Sequence, residues 1–509
     1  MNPTPRRIVT LALFFAGAPS ASATTWHVSP TGNDANVGSA ALPFRTIQRA
    51  ADLTIAGDTV VVHPGTYTGF NVSRAGVPGS PVTYLAEPGV LVNAAAAPFR
   101  GNQRARINVD IASWIVIDGF EVTGTNDQRD SRAGIRVVTV PEQPQSDVIV
   151  RNCHVHHNGE WGIFTGHVSR VTVEDCVVHH TFDEHGIYFS NSGDNHIARR
   201  NTIYSNSSQG IHVNSDASQG GDGVKTGLLI EENTIYDNAT GSVYIDSAGV
   251  TRTSVGGGSA INFDGVRNSV IRNNLLYGNR ASGISLYRID GLLPSSENVV
   301  VNNTIVQGIA GQASAGRWCV NIQDASVSNI IFNNILLNYH SSRGAIDLCP
   351  ACTSGTLSDY NIVIDRFTTN GSNVITLAQW RAQTGQDAHS RAVPLAQWAP
   401  LFTDLAGADY TLRAPSIAVD FGVVALGGAF APARDRTGAP RPSGAAHDAG
   451  AFERLCPSDV TRDGGVDGDD VAVFFAWFDS ADPRADFDGS LGVDGDDVIA
   501  FFGAWDSGC

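Results

Sequence analysis

The 509-residue chain is poor in positive charge and contains a single lysine, Lys225. Its 33 basic residues face 50 acidic ones, which gives a formal net charge of −17. Nothing basic enough to bind nucleic acid stands out, so we exclude that class of partner. Long hydrophobic runs are also missing. The segment Ile8–Ala18 is too short to cross a bilayer, and no later stretch is longer, so no membrane span is predicted.

The short apolar run has the context of an export signal. Arg6 and Arg7 precede it, and the small residues Ala21-Ser22-Ala23 follow it. This order of charge, apolar core and small residues predicts a secretory signal peptide over residues 1–23, cleaved after Ala23. We therefore expect a secreted or cell-surface protein in which disulfides can form. Of the seven cysteines, Cys349 and Cys352 are expected to form a local bridge.

The C-terminal 54 residues are an acidic duplicate. The heptapeptide GVDGDDV occurs at 465–471 and again at 492–498, and residues 456–509 hold 13 Asp and 2 Arg, a net charge of −11. Oxygen ligands recur at calcium-loop spacing, with an apolar helical pattern after each loop, which predicts two Ca²⁺ sites. Position 12 is Asp instead of Glu, and Leu491 replaces the usual glycine. The predicted ligands are Asp459, Thr461, Asp463, Gly465, Asp467 and Asp470 in the first loop and Asp486, Asp488, Ser490, Gly492, Asp494 and Asp497 in the second.

Paired loops, Asp at position 12 and one helix after each loop resemble a dockerin. The resemblance implies a small α-helical module over residues 456–509 that attaches an enzyme to a cohesin-like receptor through calcium. A different cell-surface receptor, or a calcium-stiffened end with no receptor, remains open. Cys456 and Cys509 bracket the module and could clasp its ends.

The central region lacks helical periodicity, apart from one helix predicted near Phe44–Ala56, and shows a repeat instead. Short β-branched runs end in a polar corner residue, and about ten residues after most corners comes a small residue followed by an apolar one, as in Gly162-Ile163. A repeat of this length, rich in Val, Ile and Asn, predicts stacked β-coils whose corner amides hydrogen-bond along the stack. The corners lie 23 to 41 residues apart, at Asn152, Asp175, Asn201, Asn233, Asn274, Asn303 and Asn334.

Two terminal segments of this region carry a family resemblance. "WHVSPTGNDANVGSAALPFRTIQRA" with "AGDTVVVHPGTY" opens it, and "SDYNIVID", "DYTLRAPSIAVDFG" and "HDAGAFE" close it. They resemble right-handed parallel β-helix proteins near the family-nine pectate lyases. The resemblance implies an all-β right-handed parallel β-helix over residues 24–453, followed by the dockerin-like module. It also implies an enzyme that acts on polysaccharides, with a further Ca²⁺ ion possible at its active face.

The repeat also predicts which side chains share a surface. If the isoleucines after the small residues point inward, the next residues point outward in columns about one strand spacing apart. The columns and their flanks supply candidate substrate-binding residues His185, Tyr188, Asn214, Asn262 and Tyr287, and candidate catalytic residues His212, Lys225, Arg288, Glu184, Asp216 and Asp264. Loops at 246–258 and 215–224 are expected to wall this groove.

Several reactions fit these residues. Cleavage of a uronate chain by β-elimination needs a group that neutralises the carboxylate and a base, for which His212 and Lys225 are the candidates; the lysine is suggested by the lyase resemblance. Glycoside hydrolysis would instead use two carboxyls among Glu184, Asp216 and Asp264. Uronate epimerisation and carbohydrate binding without catalysis stay open. A separate cluster is interpreted as polar turn residues, with a transition-metal patch as the alternative: His154, His156, His157, His179 and His180.

Overall fold

The computed structural model describes residues 22–100, 104–141, 143, 145–239, 241–254, 257–413, 415–461 and 465–507. The predicted signal peptide lies almost wholly outside these residues, as do Asp463 and Cys509. Most of the described chain winds through three long parallel sheets that follow one another in every coil. Because each strand pairs with its equivalent in the next coil, this arrangement is a parallel β-helix, as the repeat predicts.

The first sheet has 12 strands, and after its first two members, which only a helix separates, each is followed along the chain by strands of the other two sheets. They are Thr25–Val28, Thr59–Val62, Val82–Ala86, Ile115–Asp118, Gln145–Arg151, Val168–Glu174, Ile197–Arg199, Leu229–Glu231, Val270–Arg272, Val299–Val301, Ile330–Phe332 and Leu357–Asp359.

The second sheet also has 12 strands, and each begins shortly after a strand of the first sheet ends, except at the last coil. They are Gly65–Thr68, Val90–Ala94, Glu121–Thr123, His154–His156, Val177–His179, Thr202–Tyr204, Thr234–Tyr236, Leu275–Tyr277, Thr304–Gln307, Ile335–Asn338, Ile362–Val363 and Arg391–Ala392.

The third sheet has 11 strands and completes each coil. They are Phe70–Val72, Ile107–Asp110, Ala133–Val138, Trp161–Gly166, Ile187–Ser190, Ile211–Asn214, Ile261–Asp264, Ile284–Tyr287, Val320–Ile322, Ile346–Leu348 and Phe367–Thr368. Four two-stranded sheets add Lys225–Thr226 with Val266–Arg267, Val243–Ile245 with Thr251–Thr253, Phe402–Asp404 with Asp409–Leu412, and Ala425–Leu426 with Ala429–Phe430.

Helices are few and short among the described residues. The early helix spans Ile47–Ala51 and is capped by Thr46, so it is shorter than the predicted segment. The α-helices are Ile47–Ala51, Leu377–Thr384, Gly468–Asp479 and Gly495–Ser507, and the 3₁₀-helices are Ala217–Gln219, Pro350–Cys352, Leu395–Gln397, Ala399–Leu401 and Pro483–Ala485. Within the described part of the chain, no helix has both the length and the apolar character needed to cross a bilayer.

A ladder of buried asparagines holds one corner of the coils. Each Nδ2 donates to the Oδ1 of the next asparagine at 2.9 to 3.1 Å. Since every buried amide finds partners, the ladder satisfies polar groups that would otherwise cost stability. Its members are Asn201, Asn233, Asn274, Asn303, Asn334 and Asn361. The prediction of a corner ladder is confirmed for these coils.

The predicted corner position is wrong by one residue in the two preceding coils. Asn152 and Asp175 have φ of 54° and 55°, the left-handed region that Asn and Asp tolerate. The ladder position belongs to their neighbours Cys153 and Cys176, which are buried and free. Their thiols stack inside the solenoid without forming a disulfide with each other. Cys349 and Cys352 form the predicted local disulfide.

Candidate functional site

The outer face of the third sheet carries the predicted columns in register. Tyr188 pairs with His212, His212 with Asn262, and Asn262 with Ser285, each in the next coil. A second column runs two residues further along the same strands, from Asn214 through the next coils. The inward isoleucines of these strands are fully buried. The period-two alternation of a strand therefore places the predicted polar and aromatic side chains together.

His212 lies at the centre of this face. Its Nδ1 is 3.0 Å from Nδ2 of Asn262, whose amide also donates to the Tyr287 hydroxyl at 2.6 Å. The imidazole stacks on the Tyr188 ring, with 4.9 Å between ring centroids. Burial lowers the pKa of His212 to about 4, so the ring is neutral at neutral pH. A neutral imidazole, an amide and a phenol from three successive coils thus form one hydrogen-bonded group.

Two buried polar atoms beside this group have no hydrogen-bond partner among the described residues. They are Oδ1 of Asn214 and Nδ1 of His185. The His185 ring lies 4.6 Å from the His212 ring, and Asn214 Nδ2 donates to Asp290. Buried polar atoms are almost always paired, so these two atoms retain hydrogen-bonding capacity that a water molecule or a polar ligand would satisfy.

Carboxylates line the edge where these strands begin. Glu184 accepts a hydrogen bond from Trp161 Nε1 at 2.6 Å. Burial, with the negative charge of Glu160 next, raises the pKa of Glu184 to about 7. Glu160 is ion-paired with Arg132, whose guanidinium also lies over the Trp161 ring at 4.9 Å. Trp161 and Phe164 stack at 4.3 Å, which provides an aromatic surface next to the carboxyl groups.

Sequence reasoning missed Glu160 and Asp347 on this face. Glu160 precedes the inward Ile163 by three residues, the same offset at which Glu184 precedes Ile187, so the repeat contained the signal. Asp347 continues the first column, two coils beyond Ser285, and burial raises its pKa to about 6. The marker Ala345-Ile346 directly precedes Asp347, but the intervening strand Val320–Ile322 follows a cysteine instead of a small-residue marker, so the predicted column ended at Ser285.

Two predicted catalytic carboxylates accept hydrogen bonds from backbone N–H groups instead. Asp264 is almost fully buried and accepts hydrogen bonds from the N–H groups of three residues, Ile289 to Gly291, at 2.8 to 3.2 Å. Asp216 caps the short 3₁₀-helix that follows it by accepting from Ser218 N at 2.8 Å. Both hold turns at the edge of the face, so the geometry does not support either as an acid or base. Arg288 is exposed in the turn that Asp264 holds.

Lys225 is not part of the face. Its side chain is fully buried, and Nζ donates to the carbonyls of Ser192 and Gly193 at 3.0 and 3.1 Å. His196, stacked inside on Phe189, lies 3.3 Å from the same amine. Burial lowers the pKa of Lys225 to about 7. The structure therefore gives the only lysine an interior, structural position and not the predicted catalytic one.

The two predicted loops flank opposite edges of the face. The hairpin of Val243–Ile245 and Thr251–Thr253 contacts the edge where the strands begin, where Ser254 Oγ donates to the carbonyl of Asp183. The segment 215–224 contacts the other edge, where Leu292 N donates to the Gly223 carbonyl. The face between these two segments is where the sequence predicts a substrate groove.

Three acidic residues lie close together in the second predicted calcium loop. Carboxylate oxygens of Asp486, Asp488 and Asp497 lie within 4.8 Å of one another, and Asp486 Oδ1 is buried without a hydrogen-bond partner. Leu491, at the position usually held by glycine, has φ of 71° and donates its N–H to Asp486. This donor set and backbone suit a hard cation that prefers oxygen ligands.

The first loop is only partly described, because Asp463 lies outside the described residues. Asp470 is buried and accepts from the N–H groups of Thr461 and Asp467 at 2.9 Å each. Asp497 holds the second loop in the same way, by accepting from Phe487, Asp488 and Asp494. The two loops therefore share one construction. Cys456 is buried and disulfide-bonded, and Cys509 lies outside the described residues.

Comparisons with known proteins bear on the solenoid. A family described as "Pel9A-like, right handed beta helix region" matches residues 26–315. The crystal structure of pectate lyase Pel9A superposes with a TM-score of 0.58 at 18% identity, covering 85% of this chain and 97% of that one. A rhamnogalacturonan lyase structure gives 0.46 at 16% identity, covering 64% and 84%. The uncharacterized protein YwoF of Bacillus subtilis (strain 168) is 41% identical over 59 residues, which are 11% of this chain and only 13% of that relative's length.

Proposed function

This chain belongs to the Pel9A-like right-handed β-helix family, and we propose on that premise that it is a polysaccharide lyase that cleaves a uronic-acid-containing chain by β-elimination. The observation that supports the reaction is the hydrogen-bonded group of His212, Asn262 and Tyr287 on the outer face. The substrate would lie in the groove along the solenoid axis, crossing the coils that contribute these residues.

The three side chains match the three tasks of β-elimination. In the structure the two N–H groups of Asn262 contact His212 Nδ1 and the Tyr287 hydroxyl, so the bound substrate would have to take over these contacts. The amide would then donate to the uronate carboxylate, which stabilises the negative charge that develops as the neighbouring C–H bond breaks. Neutral His212 would accept that proton at Nδ1, the nitrogen that Asn262 releases. The bonding electrons form the carbon–carbon double bond while the glycosidic C–O bond breaks. The Tyr287 phenol, whose pKa is raised chiefly by burial, stays protonated and donates its proton to the leaving oxygen.

A second reaction is favoured by one observation, the raised pKa of Glu184. A carboxyl group that titrates near pH 7 can act as a general acid. Glu160 in the adjacent coil, ion-paired with Arg132, is the matching carboxylate. Glycoside hydrolysis by two carboxyls would then use the edge of the face where the strands begin. The two reactions use different residues and leave different products.

A product assay separates these reactions. The secreted protein with calcium would be incubated with pectin, alginate and glycosaminoglycans, and both reducing ends and ultraviolet absorbance would be followed. Elimination leaves an unsaturated sugar that absorbs ultraviolet light, whereas hydrolysis does not. We expect both signals to rise together on a uronate polymer. Reducing ends without absorbance would reject the lyase in favour of the Glu160–Glu184 reaction, and neither signal would favour a carbohydrate-binding protein.

Variants then test the assigned roles. His212→Ala should slow elimination by about a hundredfold or more, the scale of losing a general base. Tyr287→Phe should lower kcat while substrate binding is retained. His389→Ala and Tyr360→Phe, which alter a stacked pair at the far end of the solenoid, are matched controls that should leave the rate unchanged. If the control variants lost as much activity as His212→Ala, the loss would be due to lower stability and not to a missing catalytic group.

We further propose that the C-terminal module binds two Ca²⁺ ions and attaches the exported enzyme to a cohesin-like or other cell-surface receptor. The carboxylate cluster of the second loop, the matching contacts of Asp470 in the first loop and the predicted export signal support this proposal. Calcium-dependent retention of the full-length protein on the producing cells, lost in a chain that ends at residue 455, would support attachment. Recovery only inside the cells would reject secretion, and recovery of both chains in the medium would reject the receptor.

A further inference from the structure

The predicted turn histidines converge into one compact cluster on the outer face of the second sheet. His154 and His156 share one side of their strand, because they lie two residues apart, and His179 pairs with His156 in the next coil. Glu121 pairs with His154 from the preceding coil. His157 and His180 follow their strands with φ of 54° and 55° and stack on each other at 5.1 Å.

Ring nitrogens in this cluster approach one another closely. His154 Nε2 is 2.8 Å from His179 Nε2, and His179 Nδ1 is 2.6 Å from His180 Nδ1. At such distances two protonated rings repel each other, so the rings must share their protons and stay mostly neutral. Neutral imidazoles are the form that coordinates metals.

One corner of the cluster has the dimensions of a metal site. One ligand atom each of Glu121, His154 and His156 lies within 4.8 Å of the other two. Glu121 Oε1 and His156 Nε2 are 3.3 Å apart. Two ligands of a tetrahedral ion with bonds of about 2.0–2.1 Å are roughly 3.3–3.4 Å apart, so this pair needs almost no movement.

We propose that Glu121, His154 and His156 form a site for a divalent transition metal of the zinc class. Two imidazoles and one carboxylate are a ligand set that such ions take, with a fourth position left for water or a further imidazole. His179, in contact with His154, orients that ligand from the adjacent coil. The site is distinct from the proposed lyase group, which lies on the third sheet. The site would tie together the coils that contribute Glu121 and the two histidines, just before the turn that leads to Glu160.

The test uses the full-length protein, stripped of metal and then saturated with Ca²⁺ so that the acidic C-terminal loops do not take up the probe. Titration with Zn²⁺ by calorimetry, and with Co²⁺ by visible absorption, should show one site per chain. Glu121→Gln, His154→Ala and His156→Ala should each weaken binding by more than the about 10- to 100-fold typical of outer-shell changes. His180→Ala is the matched control, because His180 is an exposed member of the cluster outside the ligand set.

The pattern of losses decides the result. Strong losses for the three ligands with little effect of His180→Ala would establish the site. No stoichiometric binding would overturn the proposal. Equal, small losses for all four variants would also overturn it, because that pattern indicates diffuse chelation by a histidine-rich surface. Thermal melting without metal would show whether each variant is folded, and His154→Gln would replace His154→Ala if that protein does not fold.

Discussion

The solenoid and the C-terminal module of this chain are stabilised in different ways. In the solenoid each coil hydrogen-bonds to the next, and buried asparagines pair with one another along a corner. The module has a small aromatic core around Phe474 and Phe501, whose rings stack at 4.2 Å. It carries −11 of the chain's −17 charges in 54 residues. The solenoid pairs its corner amides with one another, whereas the module concentrates carboxylates in two short loops.

The largest expected effect is the loss of the module when calcium is removed. Clustered Asp carboxylates repel one another unless a cation neutralises them, and ligand binding to the folded form supplies its stability. Limited proteolysis of the full chain should release the C-terminal module in chelator and spare the solenoid, and calcium should restore protection.

The variant Asp467→Ala with Asp494→Ala should remove this response to calcium without changing melting of the solenoid. Asp479→Ala together with Asp506→Ala, outside both loops, is the matched control with the same change in charge. A module equally protected with and without calcium would contradict the difference between the two regions.

Breaking the asparagine ladder should have the next largest effect, and only on the solenoid. Asn274→Ala removes the acceptor for Asn233 N and Nδ2 and leaves the Ile230 carbonyl without its donor. Since each orphaned buried group costs about 1–3 kcal/mol, a loss of several kcal/mol in unfolding free energy is expected. Denaturant unfolding would measure it against Asn373→Ala, an exposed control. A loss of under about 1 kcal/mol would show that the ladder is dispensable.

Much of this solenoid was predictable because its repeat is short and its strands alternate strictly. The small-residue and isoleucine markers fixed which side of each strand faces inward, so the columns through Tyr188, His212 and Asn262 followed from the alternation. An error of one residue along a strand moves a side chain from the inner face of the sheet to the outer face, or the reverse. That error occurred at Asn152 and Asp175, where cysteines hold the ladder position and the visible polar residues take left-handed turns.

Residues in irregular segments were harder to place. Lys225 follows a glycine-rich stretch in a long coil, where spacing does not show whether a side chain points inward or outward. The two-residue strand Lys225–Thr226, paired with Val266–Arg267, turns the amine inward. Similarly, Asp264 lies in a predicted outer column, yet its carboxylate bends back to the turn at 289–291. Columns predict proximity, but backbone groups compete for the same side chains.

Lys225→Met should therefore have a structural effect of intermediate size. It leaves the carbonyls of Ser192 and Gly193 without a donor, which costs about 1–3 kcal/mol. Because the pKa of Lys225 is lowered from 10.5 to about 7, the unfolded chain binds more protons between those values. The stability of the wild type should thus rise relative to the variant between pH 7 and pH 9. Activity per folded molecule should stay within about threefold, and a hundredfold loss at unchanged Tm would restore the catalytic role.

The smallest expected effect is a loss of stability in mild acid that the solenoid shows and the module does not. Burial lowers the pKa of His185, His196 and His212, the last to about 4, so the folded solenoid keeps these rings neutral. The unfolded chain protonates them near pH 6.5 and therefore binds more protons below that value. The contribution of these neutral histidines to the unfolding free energy is present above pH 6.5 and is lost as the pH drops towards 4. The loss is roughly 0.7 kcal/mol per histidine between pH 7 and pH 6.

Aspartates of the module titrate near pH 4 when unfolded, well below this interval. In calcium-saturated, zinc-free protein the Tm of the solenoid should fall while the module transition stays in place, and His196→Phe should reduce the loss of unfolding free energy by the contribution of one histidine, roughly 0.7 kcal/mol between pH 7 and pH 6. Equal shifts in both regions would mean that buried histidines are not its cause.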